Sequence, residues 1–422
     1  MPWLLISSWM WHLTRWDGLF LGTYLVTHLG AQPIANQFVG VAMFAPMLLG
    51  SYVSSRVDVE PRKLVLVTEL VLLPVSVLMA VLVGGDAAQT WMVYAFELAC
   101  GFGGMVNMTA QRELLFRIGG PSPASGRSPQ RSTRVLNTEL AGMASAMMLG
   151  PLIGGVSIAA FGLGVAFGIL PLLLSCSAPL LWFSTRALPV EACALAPDAA
   201  ASGRGKVDWR LLRRSRALAM ILLVTMICNL CYFAFLPLVP VIAKHLNVGA
   251  AMAGVIGATA GVVQLVVAAA LIVRPVRRPL TANMFGVALC LCCLGMLAYT
   301  QMVTAALLTL GVAGIGQALF GSTQATLPAA TVAPHERAAA LGLLTTTIGV
   351  ALPTGMVVLG VVSSLFGVQL AMLLSALVGL AALAATVLGY QHLMRPETAA
   401  TSRGATRVGG EGDSVAAQPE LG

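Results

Sequence analysis

Charge is scarce in this sequence. Of its 422 residues only 9% are Asp, Glu, Lys or Arg, 16 acids and 24 bases in all. A water-soluble domain carries about a quarter charged residues to wet its surface. A cytosolic enzyme, a secreted disulfide scaffold and a disordered regulator are therefore excluded. The strict apolar–polar alternation of barrel strands is also missing. No phosphate-cradling loop occurs, which argues against ATP drive. The eight cysteines fall mostly inside apolar runs, where thiols act as small hydrophobes and suggest no disulfide framework. The surplus of +8 lies between apolar runs rather than on a soluble face, so it marks no nucleic-acid partner.

What the chain has is apolar length: 58% hydrophobic residues and a mean hydropathy of +0.88. A hydrocarbon layer about 30 Å thick takes about 20 residues of helix, and only helices or a closed barrel satisfy the backbone there. Twelve stretches meet that need: 3–28, 36–56, 63–84, 89–117, 134–160, 164–184, 217–243, 251–273, 280–299, 303–330, 338–364 and 367–393. The first lacks a basic leader and an A-x-A-like site, and is read as a retained span rather than a cleaved signal. The chain is thus expected to be an all-α polytopic membrane protein that lives in the lipid bilayer.

Bases set the orientation of membrane helices. The even-numbered connections and the tail hold 22 of the 24 bases; Arg15 and Lys244 are the exceptions. Both termini and the long polar connector between the sixth and seventh stretches are expected to be cytoplasmic, in the inner cell membrane.

The halves echo one another at a shift of about 213 residues. Gly101-x-Gly103 with Gln111 matches Gly314-x-Gly316 with Gln324, and Gly40 matches Gly254. Both fifth-position stretches carry a Gly/Pro break, Gly150-Pro151 and Pro353-x-Gly355, and end in Phe-Gly at Phe161-Gly162 and Phe366-Gly367. The expected organisation is two pseudo-symmetric six-helix bundles, 1–184 and 217–394. A cytoplasmic connector, 185–216, joins them, and a disordered tail, 395–422, follows.

This arrangement resembles the major facilitator superfamily, and its local residues resemble the drug- and siderophore-exporter branches. Gly150-Pro151-Leu152-Ile153-Gly154-Gly155 is similar to the end of the family's antiporter motif, with departures upstream at Ala146 and Asn137. The family's motif between the second and third helices is degraded. Gly50 fits, Ser54 and Ser55 replace Asp-Arg, Arg56 comes one place late, and Arg62-Lys63 follow after extra residues. The resemblance implies that the fifth and eleventh helices face the other half and slide during alternating access, with Gly150, Pro151, Gly154, Gly155, Pro353 and Gly355 as gating positions. Simple packing is the alternative, since small residues let helices approach in lipid.

Ionisable groups at mid-bilayer are costly and normally face a cavity or partner. Asp17 lies about 21 Å along the first helix and Glu97 about 12 Å into the fourth, at similar depth. Both are candidates for proton coupling; a structural polar contact is the alternative. Arg15 and Asp17, two residues apart, project to nearly opposite faces and need not pair. Glu69, Arg112, Glu113 and Glu139 lie near cytoplasmic ends and read as interfacial pairs or a latch. No acid occurs between Asp208 and Glu336, so proton chemistry belongs to the first half. Asn283 and Gln317 add to the neutral polarity of the second. Cargo-cavity candidates are Arg15, His12, Asn229, Tyr232, Gln264 and Gln324. Neither metal nor cofactor is implied: Cys228, Cys231 and the Cys290–Cys293 cluster have no buried acid or His beside them.

The reading is a monomeric, proton-coupled exporter of small amphipathic molecules, cationic drugs and zwitterionic metallophores included. An importer or lipid-like solute transporter of the same fold is the alternative. A membrane enzyme would need a catalytic cluster that the sequence does not display. In a background stripped of native cysteines, Ser202→Cys is expected to react with an impermeant maleimide only from the cytoplasm, and Asn247→Cys only from outside. The reverse pattern would invert the topology.

Overall fold

The structure is a computed structural model that describes residues 2–49, 60–119, 129–186, 209–274, 276–324, 326–333 and 336–390. A helix occupies each of the twelve apolar stretches. In the first half these are α1 (Pro2–His28), α2 (Pro33–Phe44, continued as a 3-10 turn over Ala45–Leu49), α3 (Pro61–Gly84), α4 (Thr90–Gly119), α5 (Pro129–Phe161) and α6 (Leu163–Thr185). In the second they are α7 (Arg216–His245), α8 (Ala250–Val273), α9 (Pro279–Ala298), α10 (Val303–Gln324), α11 (Arg337–Phe366) and α12 (Val368–Gly389). The connector 187–208 and the tail beyond Tyr390 lie outside the described residues.

Among the described residues nine helices, α3 and α5 to α12, are long and apolar enough to cross a membrane. The chain is a multi-pass membrane protein. The other three have a physical reason to differ. α2 is apolar but shorter, and α1 and α4 carry buried polar side chains, among them Ser7, His12, Arg15, Asp17, Glu97, Asn107 and Gln111. α1, covered by other helices over most of its length, needs little apolar coat, whereas α3 turns Leu70, Val71, Leu78 and Val81 outward and α4 turns Trp91, Leu98 and Phe102 outward.

Prolines open α2, α3 and α9, where their missing N–H is no loss and their φ suits a first turn. The two Phe-Gly echoes are breaks between helices. α5 stops at Phe161 and α11 at Phe366, and Gly162 and Gly367 follow at φ +84° and +85°. That left-handed backbone strains any residue with a Cβ.

Packing repeats as the sequence does. α3 lies against α4 and α6 as α9 packs on α10 and α12. The halves meet along two crossings, α5 with α8 and α2 with α11, which exchange under a pseudo-two-fold axis. The repeated glycines sit at equivalent contacts. A Cβ on Gly101 would stand 2.5 Å from the Met43 carbonyl oxygen of α2, and one on Gly314 would strike the Ala260 carbonyl of α8. Gly103 faces Leu72 of α3 as Gly316 faces Gly286 of α9. Gly40 and Gly254 both serve the inter-half crossings, against Met356 of α11 and against Pro151 and Gly155 of α5. Where lipid offers no hydrophobic drive between helices, such approach lets van der Waals contact hold them.

Gly254→Ala places a methyl group on the Pro151 carbonyl. It is expected to lower stability by about 1–3 kcal/mol through overpacking, read as earlier thermal unfolding of the purified protein. Gly168→Ala, with nothing within 4 Å of the new carbon, should stay within about 0.5 kcal/mol.

Candidate functional site

The polar face-setting of α1 organises the site. Asp17 is fully buried and turned to α5, where its Oδ1 would lie 2.5 Å from a Cβ on Gly154 and its backbone nitrogen 2.6 Å from one on Gly150. Neither carboxylate oxygen of Asp17 has a hydrogen-bond partner among the described residues. Residues four apart share a helix face, so Gly150 and Gly154 form the α1 side of α5. One residue on, Pro151 and Gly155 form its α8 side: Gly155 would set a Cβ 2.5 Å from the Ala250 carbonyl. The Gly-Pro stretch therefore has two jobs on adjacent faces.

Arg15 is also buried but faces α4, its guanidinium against Gly104, where a Cβ would come within 2.6 Å of Cζ. Its charge interacts with Glu97. Glu97 in turn lies over Gly22 of α1, its Oε1 3.1 Å from where a Cβ would stand. About two turns separate Arg15 from Gly22 and Glu97 from Gly104, as antiparallel packing of α1 on α4 requires. Arg15 and Asp17 thus serve different helices. His12 is buried in the same helix, closer to its start.

Glu69 of α3 faces into the first half. It is buried, and its Oε1 accepts a hydrogen bond from Ser177 Oγ at 3.0 Å. Ser177 Oγ also lies 3.0 Å from Ser7 Oγ. Asn107 borders the same carboxylate, so α1, α3, α4 and α6 meet at one polar junction. Nearby, Ser8 Oγ donates to Gln111 Oε1 at 3.0 Å. Arg62 and Lys63 turn to local partners: Arg62 stacks 4.5 Å over Trp182, and Lys63 reaches Glu60 at 3.3 Å. Gly50 and Arg56 lie outside the described residues, as do the side chains of Arg112 and Glu139.

In the second half α7 widens to a π turn over Cys228–Tyr232 and tightens to a 3-10 turn over Phe233–Leu238, which holds Pro237. Proline leaves a carbonyl of the preceding turn without its amide. The π turn presents Tyr232, whose hydroxyl oxygen accepts from Gln317 Nε2 of α10 at 2.8 Å. Asn229 bonds back to the Thr225 carbonyl within α7, and Asn283 donates to Thr323 Oγ1 at 2.9 Å. Gln264 of α8 stands beside Gly321 of α10, while Gln324 lies at the end of α10. Gly355 admits the backbone of Leu230, so this part of the α11 break faces α7; Met356 and Gly360 make the crossing to α2, with Pro353 in the turn before them.

Asn36 escaped sequence reasoning, although a buried amide opening an apolar run was the available signal. Its Nδ2 lies 2.7 Å from Thr27 Oγ1 and 3.2 Å from the Pro237 carbonyl of α7, a polar tie between halves. Close by, a cavity of about 50 Å³ sits between the halves, room for a few waters at about 10–15 Å³ each. Trp16, Phe20, Thr23 and Pro151 line it from the first half, and Phe233, Phe235, Ile256 and Gln317 from the second. None of the expected cargo-contact residues lines it directly; Tyr232 reaches it through Gln317.

Two bundles related by a pseudo-two-fold axis around a shared cavity have a counterpart at the level of sequence. The Major Facilitator Superfamily family model matches residues 17–328. The chain belongs to the major facilitator superfamily. Solved structures of the same fold agree. A mutant of the nucleoside transporter NupG matches at TM-score 0.64 and 16% identity, over 92% of this chain and 99% of that one. A bacterial homologue of the human lysosomal transporter Spinster, inward-facing and unoccupied, matches at 0.65 and 13%, over 93% and 97%. A POT family transporter in complex with 5-aminolevulinic acid matches at 0.69 and 10%, over 93% and 96%. No curated protein sequence matches. Superfamily membership points to a transporter rather than an enzyme.

The Glu69 junction tests as a structural unit. Glu69→Ala removes the carboxylate that Ser177 and Asn107 meet and leaves buried polar groups facing a void, at an expected cost of about 1–3 kcal/mol, whereas Glu69→Gln keeps an acceptor and should cost less. Denaturation of the purified variants measures both.

Proposed function

We propose that this protein is a proton-coupled secondary transporter that moves a small amphipathic organic molecule out of the cell by alternating access. The observation that carries the reading is Asp17, buried with both carboxylate oxygens unpartnered and pressed on the Gly150/Gly154 face of α5. An ionised carboxylate there bears an uncompensated desolvation cost of several kcal/mol, which a proton removes. The adjacent Pro151/Gly155 face forms the crossing with α8. A change of charge at Asp17 therefore acts on the helix that joins the halves. Driving a two-state equilibrium from 1:99 to 99:1 takes about 5.5 kcal/mol, a size that one buried charge can supply. Glu97, held near Arg15, is the second candidate for the proton.

Cargo enters the central cavity as the halves part, and Gly150, Pro151, Gly154, Gly155, Pro353 and Gly355 let the interface helices move. The chain acts as a monomer with twelve spans, in the inner cell membrane with both termini cytoplasmic; the placement of 22 of its 24 bases supports that orientation. Uptake is the second reading. It is favoured by the departures from the antiporter pattern at Asn137 and Ala146, and by the nucleoside transporter among the structural neighbours.

Everted vesicles with and without an imposed pH gradient decide the direction. Efflux predicts gradient-driven accumulation inside them, and uptake predicts depletion. In either case Asp17→Asn is expected to abolish the response to the gradient while leaving cargo binding. Full coupling in that variant would remove Asp17 from the mechanism.

A further inference from the structure

We infer that the central cavity, widened as the halves part, binds an uncharged aromatic molecule that carries a hydroxyl group. This rests on the transporter reading in taking the cavity as the cargo site and in its widening during alternating access. Among the described residues no Asp, Glu, Lys, Arg or His lines the cavity. The buried charges of the first half face elsewhere: Asp17 to Gly150 and Gly154 of α5, and Arg15 to Gly104 and Glu97 of α4. A charged cargo would thus leave water without a counter-charge, a penalty that an uncharged one escapes. Cationic drugs and zwitterionic metallophores are disfavoured on that ground.

The walls name the rest of the class. Trp16 and Phe20 stand on the first half, Phe233 and Phe235 on the second, so planar faces are offered from both sides, as aromatic pairs require. Two polar side chains join them, and each keeps hydrogen-bonding capacity for a ligand. Thr23 Oγ1 donates to the carbonyls of Leu19 and Phe20 at 2.8 and 3.0 Å. The Gln317 amide donates one hydrogen to Tyr232 at 2.8 Å, which leaves its second N–H as a donor and its oxygen as an acceptor. A ligand hydroxyl can donate to one of these oxygens and accept from the Gln317 N–H, whereas a bare hydrocarbon does neither.

The test is tryptophan-fluorescence titration of the full-length protein in nanodiscs, with no ion gradient, using naphthol, naphthoate, naphthylmethylammonium and naphthalene. Naphthol is expected to bind saturably, and about tenfold or more tighter than the two charged analogues, which carry the uncompensated charge. Naphthalene should bind more weakly than naphthol, and Gln317→Leu should reduce that difference while leaving naphthalene unchanged. Equal or tighter binding of either ion, unsaturable quenching by naphthol, or an undiminished preference for naphthol over naphthalene in Gln317→Leu would overturn the inference. Should that variant fail to fold, the ranking of the four probes on the unmodified protein decides alone. Because no gradient is applied, this outcome is independent of whether Asp17 couples transport to protons.

Discussion

Helix backbones that touch through glycine hold this molecule together and set what else it can do. In lipid, water expulsion gives helices no reason to associate, so attraction must come from close packing. The chain meets that requirement at equivalent places in both halves, with Gly101 and Gly314 on one neighbour and Gly103 and Gly316 on another. Across the halves, Gly40 and Gly254 do the same. Smooth contacts of this kind carry few directional bonds. Asn36 to the Pro237 carbonyl is a polar exception, at the end of the bundle that carries the α1–α2 connection.

Polarity is distributed by the same logic. The first half gathers its ionisable groups on and around α1, where α2, α4, α5 and α6 shield them from lipid. Among the described residues the second half buries no Asp, Glu, Lys, Arg or His, and its inter-helix hydrogen bonds include ones between α7 and α10, α9 and α10, and α12 and α7. The cavity lies between a half that holds buried charge and a half that holds only amides and hydroxyls. Charge can then be altered on one side of the interface without being placed in the path of cargo. α5 joins the two functions because its Asp17 face and its α8 face are adjacent.

Much of this was legible in the residues. The twelve helices follow from apolar length, and the shift of about 213 residues forecast which glycines would be equivalent. Helical periodicity alone separated Arg15 from Asp17. The partners of those groups were not legible: Arg15 finds Glu97 because α1 and α4 run antiparallel in one register, which no local pattern encodes. The partners of Glu69 were hidden for a similar reason. Its distance from the start of α3 suggested an interface, but depth along a helix says nothing of which face is covered, and Ser177 and Asn107 cover this one.

The chemistry of single residues and their spacing determined the solvent, the helices, their breaks at Gly162 and Gly367, and the duplication, because these depend on hydrophobic length and backbone freedom within a short segment. Tertiary packing decided that Asp17 meets the Gly-Pro stretch of α5, that Glu97 answers Arg15, and that the central cavity is walled by aromatic side chains with the charges turned away. Those contacts depend on the rotation and register of one helix against another, and both are settled only when all the neighbours pack at once.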